Sequence, residues 1–220
     1  MTIGILGGMG PRATADFYRR LIEATPSKID QGHLPVLIDA DPRIPDRTEA
    51  LRDPVLGSQL EVSLLAAARR LVAGGAQLLV CPCNSATPFV RRLPPDLNVV
   101  DWISSACAEL VRTRPGTKTL RIVGTRGTDR AGLYRDALAA HGISTLPLTE
   151  DEQSMTDEAI AAAKAGDRPP PSFVGWLTVQ RIPPLIACTD LSEALDGDGF
   201  PDASELVAAN LVRLAMVRNA

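Results

Sequence analysis

One pattern occurs twice in this chain and constrains its fold more than anything else. A short apolar run, a glycine-rich turn and an amphipathic segment follow one another at residues 2–6, 7–11 and 13–24, and again at 120–123, 124–128 and 133–141. An apolar run of four or five residues bounded by glycine reads as a buried strand, and a helical period directly after it makes a βα unit. Each half then ends a further apolar run in a cysteine followed by polar residues: 77–81 leads into Pro82-Cys83-Asn84-Ser85, and 185–187 into Cys188-Thr189-Asp190. Gly7 and Gly124 are 117 positions apart and Cys83 and Cys188 are 105 apart, so the first half carries 12 extra residues between turn and cysteine. The proline-marked loop 41–53 supplies them. A duplicated unit of this kind predicts two similar α/β layers related by a pseudo-two-fold axis, with Cys83 and Cys188 on opposite walls of one cleft. The carboxyl edge of the strands, where both cysteines fall, is the ligand-binding edge of open α/β sheets.

The remaining pattern predicts a second strand at 34–40, a long helix at 55–73 stopped by Gly74-Gly75, a short helix after Cys83 at 86–93, and a closing helix at 204–218. A chain of 220 residues can bury two modest cores. The expected division is an N-terminal α/β domain of residues 1–98 plus 204–220 carrying Cys83, and a C-terminal α/β domain of residues 99–203 carrying Cys188.

Composition removes several classes of function. A formal net charge of −3 gives no positive field to draw nucleic acid. The opening residues run straight into an apolar strand, and no apolar run reaches the roughly 20 residues that span a bilayer. The expectation is a cytoplasmic protein with no membrane partner, in which Cys81, Cys83, Cys107 and Cys188 are reduced. Cys81-Pro82-Cys83 has only His33 and His141 to pair with, neither in ligand spacing, so no metal is expected. Asp196-Gly197-Asp198-Gly199 reads as a turn because Phe200 and Pro201 stand where a calcium loop needs other residues. Gly4, Gly7, Gly8 and Gly10 loosely fit a dinucleotide fingerprint, but Asp39 and Asp41 lie too far on to serve as its acidic residue. A turn that lets a substrate approach the backbone fits better. The acidic run Glu150-Asp151-Glu152 reads as a solvated face.

Taken in order, Gly7-Gly8-Met9-Gly10-Pro11 with Ala13-Thr14-Ala15-Asp16-Phe17-Tyr18, then Pro45-Asp46-Arg47-Thr48, Pro82-Cys83-Asn84-Ser85-Ala86, Gly124-Thr125-Arg126-Gly127-Thr128, Lys164-Ala165-Gly166 and Cys188-Thr189-Asp190-Leu191 resemble the signatures of the aspartate/glutamate racemase family over nearly the whole chain. The resemblance implies two Rossmann-like α/β domains with parallel sheets, an active site between them, a homodimer, and no pyridoxal phosphate or other cofactor. It implies that Cys83 and Cys188 are the two bases and that Arg47 and Lys164 clamp a distal carboxylate. The α-carboxylate contacts then fall around Asn84, Ser85 and Thr125, with Met9 and Thr189 completing the substrate-binding set. This chain departs from the family's usual run at Thr87, where histidine is common, and at Ala187, where glycine is common; both positions leave the choice of acidic substrate open.

The chemistry asks for the same residue types. Inverting a stereocentre needs one group to take the proton from one face and another to return one on the opposite face. A strand-to-helix junction, with its unpaired N–H groups, favours thiolate at Cys83 and Cys188 alike. Donors at Asn84, Ser85 and Thr189 would stabilise the charge that builds on the α-carboxylate. Cys81 and Cys107 read as core residues. The rivals are a related isomerase or decarboxylase of dicarboxylates, in the manner of maleate isomerase, a dicarboxylate-binding protein with inert cysteines, and a Lys164 aldimine enzyme.

Overall fold

The computed structural model describes residues 1–219, with side chains to residue 217. The first half runs β1 (Ile3–Gly7), α1 (Pro11–Ala24), β2 (Val36–Ala40), α2 (Arg47–Ala50), α3 (Pro54–Ala73), β3 (Leu78–Val80), α4 (Thr87–Val90) and α5 (Trp102–Thr113). The second runs β4 (Thr119–Gly124), α6 (Arg126–Arg130), α7 (Leu133–Ala139), β5 (Ser144–Leu146), α8 (Glu150–Ala165), α9 (Pro171–Thr178), β6 (Pro184–Ala187), α10 (Thr189–Ala194) and α11 (Ala203–Asn219). The strands form two three-stranded parallel sheets of identical order, β2-β1-β3 and β5-β4-β6. The equivalence extends further: Val99 bridges to Leu79 beside β3, and Asp202 bridges to Ile186 beside β6. Each bridge leads into a helix capped by an aspartate, Asp101 receiving Ser104 N–H and Asp202 receiving Glu205 N–H, both at 2.8 Å.

The loop after β1 is held by local chemistry. Gly8 has φ +93°, and a Cβ there would lie 2.4 Å from the Asp41 backbone, so both conformation and space demand glycine. The Thr14 hydroxyl then accepts from Gly8 N–H at 2.9 Å and donates to the Gly10 carbonyl at 2.8 Å, tying the turn to the first helical turn of α1.

The two halves share the largest of three apolar clusters, and each half has a smaller one of its own. The largest apolar cluster takes Ile3, Ile5 and Val80 from one sheet and Leu120, Leu185 and Ala187 from the other. The final helix of each half crosses over: α5 packs on α7 of the second half, α11 packs on α1 of the first, and the two pack on each other. A buried ion network fastens the same seam. Arg20, 7% exposed, donates to Asp16 at 2.6 Å, to Asp202 at 2.9 Å and to the Ser192 carbonyl at 2.8 Å.

Two segments differ from the sequence expectation, and a third, exposed as expected at Glu150 and Asp151, adds a helix start to it. The 41–53 loop contains the helical turn α2, because the Asp46 carboxylate accepts from Thr48 and Glu49 N–H and caps it. The turn after β4 becomes α6, capped by the Thr125 hydroxyl. The acidic run at 150–152 opens α8, where Thr149 and Glu152 form a capping box and the carboxylates face the positive end of the helix. Residue 220, assigned to the first domain, lies outside the described residues. Among the described residues, no helix is long and apolar enough to cross a membrane.

Candidate active site

Cys83 and Cys188 occupy equivalent backbone positions. Each leaves the end of a strand in extended conformation, with φ −156° and ψ 113° at Cys83 and φ −141° and ψ 121° at Cys188, and each precedes a helical turn. Both are 5% exposed. They line one cavity of about 30 Å³ between the two halves. Met9, Arg47, Asn84 and Ser85 join Cys83 from the first half, and Thr125, Lys164 and Thr189 join Cys188 from the second. Every residue singled out in the sequence for chemistry or substrate therefore meets at this point. Asp46, Thr48, Thr128 and Asp190 also line it and had not been singled out. All four fall inside the sequence signatures quoted above without a role assigned to them, and Asp46 also carries the capping spacing Asp46-Arg47-Thr48-Glu49.

The polar lining is rich in donors. Asn84 Oδ1 accepts from Trp102 Nε1 at 3.0 Å and from the Tyr134 hydroxyl at 2.6 Å, while its Nδ2 is buried with no protein partner. Arg47 donates through Nη1 to the Pro45 carbonyl at 3.2 Å, and its Nε is likewise buried and unpartnered. Buried donors left without acceptors are costly, and both residues line the cavity, where an acceptor-rich ligand such as a carboxylate would suit them. Ser85 Oγ lies 3.7 Å from Cys83 Sγ, and Thr125 Oγ1 lies 3.1 Å from Thr128 Oγ1. Trp102 and Tyr134 carried no sequence signal for this role, because the contact with Asn84 spans 18 and 50 positions. Thr87, at the family's usual histidine position, is buried with its hydroxyl unpartnered.

The two cysteines meet different charges. Burial alone would lower the Arg47 pKa, but charge at Cys83, then at Asp46 and Asp190, carries it upward, so a fixed cation stands beside Cys83. Cys188 is pushed up to about 12, first by burial and then by the Asp190 carboxylate, against the opposing pull of Leu191 and Asp190 N–H and of Lys164. This corrects the expectation that the helix start would favour thiolate at Cys188: two N–H groups do not outweigh complete burial beside an anion. Asp190 itself is raised by burial, opposed by Lys164 and Arg47. Cys81 is raised well above its ordinary value by burial, in keeping with a core position.

A second hollow of about 280 Å³ adjoins the cavity and shares Asp46, Arg47, Lys164 and Asp190 with it. Arg12 lines its outer side and lies against Gly166, where an added Cβ would meet the guanidinium at 2.4 Å. The inner cavity has room for little more than a water molecule. A larger groove of about 850 Å³ lies at the Arg20 seam, but its Arg20, Asp196 and Asp202 already satisfy one another in ion pairs. Among the described residues, no group of three or more His, Cys, Asp or Glu could hold a metal ion.

Comparison with known proteins identifies the fold and the family. The chain is 25% identical over 208 residues to the broad specificity amino-acid racemase RacX of Bacillus subtilis (strain 168), covering 88% of this chain and 87% of that protein. Its fold superposes on the aspartate racemase of Picrophilus torridus with a TM-score of 0.82 at 24% identity, covering 98% of this chain and 94% of the other. The glutamate racemase of Campylobacter jejuni subsp. jejuni superposes with a TM-score of 0.62 at 16% identity, covering 99% and 86%. The family model for Asp/Glu/hydantoin racemases matches residues 6–179. The chain belongs to the Asp/Glu/hydantoin racemase family and is an isomerase of the amino-acid racemase kind.

Proposed function

We propose that this protein interconverts the enantiomers of a small acidic amino acid, aspartate or glutamate, by a two-base mechanism that uses no cofactor. The observation that carries the reading is the meeting of Cys83 and Cys188, from equivalent strand ends, in one cavity with Arg47 and Lys164. In one direction Cys83 takes the α-proton from one face of the substrate, and the Cys188 thiol delivers its own proton to the other face. Cys83 is then the thiol and Cys188 the thiolate, which is the starting state for the opposite enantiomer. The protonated state that burial and Asp190 impose on Cys188 suits the donor role in the first direction.

Arg47 and Lys164 hold the distal carboxylate, and Asn84, Ser85 and Thr125 hold the α-carboxylate, where negative charge grows as the proton leaves. Met9 and Thr189 close the cavity around the substrate. Closure of the halves excludes water from the carbanion. Proton NMR of L-aspartate and L-glutamate in heavy water tests the reading, since loss of the Cα signal with appearance of the D-enantiomer is expected for one of them. Neither amino acid exchanging would end it. The name of the Bacillus subtilis relative favours a second reading, in which several amino acids are accepted; a panel of neutral and basic amino acids in the same assay separates the two. The protein is further proposed to act in the cytoplasm as a homodimer of chains in which 1–98 plus 204–220 and 99–203 form the two domains. Sedimentation equilibrium tests the oligomeric state.

A further inference from the structure

Asparagine can present either its oxygen or its amide nitrogen to a ligand, and at Asn84 the surroundings decide which. The indole N–H of Trp102 can only donate, so the Asn84 atom 3.0 Å away must be the carbonyl oxygen. The Tyr134 hydroxyl, 2.6 Å from the same oxygen, agrees. Burial holds the Tyr134 phenol well above its ordinary pKa, so it keeps its proton and remains a donor. Neither donor can drift. Trp102 and Tyr134 are 2% and 1% exposed, and the Trp102 ring packs against Phe17 at 5.1 Å between centroids. Asn84 lines the cavity, and with its oxygen held by these two donors its NH2 group is left buried with no protein acceptor.

We propose that Trp102 and Tyr134 are positioning residues that lock the Asn84 amide in the flip that offers a substrate carboxylate N–H donors and no acceptor, a role that rests on the racemase reading above. The reversed amide would break both hydrogen bonds and turn a lone pair toward an anion. The lock draws on both halves of the protein. Asn84 follows β3 and Tyr134 lies on α7 of the second half, so the donor is set only where the halves meet. Its effect belongs in kcat more than in KM, because the carboxylate gains charge as the α-proton leaves.

The test first follows wild-type exchange of L-aspartate and L-glutamate by NMR; no exchange of either ends the racemase reading and this one with it. On the exchanging substrate, Tyr134→Phe, which removes a single oxygen atom, is expected to lower kcat by about 3- to 10-fold with a smaller change in KM. Tyr134→Phe with Trp102→Phe is expected to lower kcat by more than the product of the single losses, since either donor alone holds the flip in part and neither is left in the double variant. In an Asn84→Ala background, Tyr134→Phe should cause no further loss. An active wild type with an undiminished Tyr134→Phe variant, or an equal loss with and without Asn84, would overturn the positioning role and leave the racemase reading standing. Tyr134→Phe carries the test by itself if Trp102→Phe does not fold.

Discussion

Arg20 donates to the Asp202 carboxylate at 2.9 Å across 182 positions of sequence, and by doing so ties α1 of the first half to the start of α11. Removing the guanidinium strands the buried Asp202 without a counter-charge and leaves the buried Asp16 with Arg19 alone. Arg20→Met is expected to lower stability by about 3 to 5 kcal/mol, read from urea unfolding. Asp202→Asn together with Arg20→Met should recover part of the loss, because the stranded charge is then gone.

Cys83→Ala and Cys188→Ala should each reduce racemisation below about a thousandth of wild type, because each removes one of two obligatory proton carriers. A serine at either position is expected to leave slow α-proton exchange, detectable in heavy water over long incubation. A variant lacking either sulfur that still inverts aspartate or glutamate at wild-type rate would exclude the two-base scheme.

Asp190 raises the Cys188 pKa, so neutralising it should move that thiol's ionisation to lower pH. For Asp190→Asn, the pH at which Cys188 reacts half-maximally with iodoacetamide is expected to fall, with Cys188 identified by peptide mass. An upward shift would contradict the assigned charge interaction.

The alkaline stability of the fold follows from its buried thiols. Cys107 and Cys188 are pushed from 9.0 up to about 12, chiefly by burial. Between those values the unfolded chain has released protons that the folded chain still holds, so stability is complete below pH 9.0 and falls as pH rises toward 12. Cys107→Ala should flatten the decline in urea midpoint across that window even though its stability at neutral pH is lower.

Arg47→Lys keeps the positive charge but loses the planar fork and its buried, unpartnered Nε–H. An increase in KM of about 10-fold or more for the acidic substrate is expected, together with altered reactivity of Cys83. A KM unchanged by this substitution would remove Arg47 from the carboxylate site.

Much of this was legible in the sequence because the informative signals are local. The apolar runs ending in Cys83 and Cys188, and the glycines at 7, 8 and 124, mark strands and turns by residue type alone. The duplicated order of those signals then places the cysteines on one cleft. Elements whose sequence is polar were harder to see. Strand β5 is short and partly exposed, with burial too incomplete to leave an apolar run. Helix α8 begins with three carboxylates that look like a solvated surface until Thr149 is recognised as their cap. The charge around each cysteine was not legible either, since it depends on how deeply Cys188 sits and on which side Asp190 turns. Trp102 and Tyr134 approach Asn84 only after α5 and α7 have packed together.

That crossing of α5 and α11 has a consequence for the chain as an object. Neither half alone closes the largest apolar cluster, because α5 lies against α7 and α11 against α1, and each half keeps only its smaller cluster to itself. Severing the chain in the 114–118 connection should therefore yield two fragments that are unstructured apart and regain shape only when mixed, and the intact protein should melt in a single step.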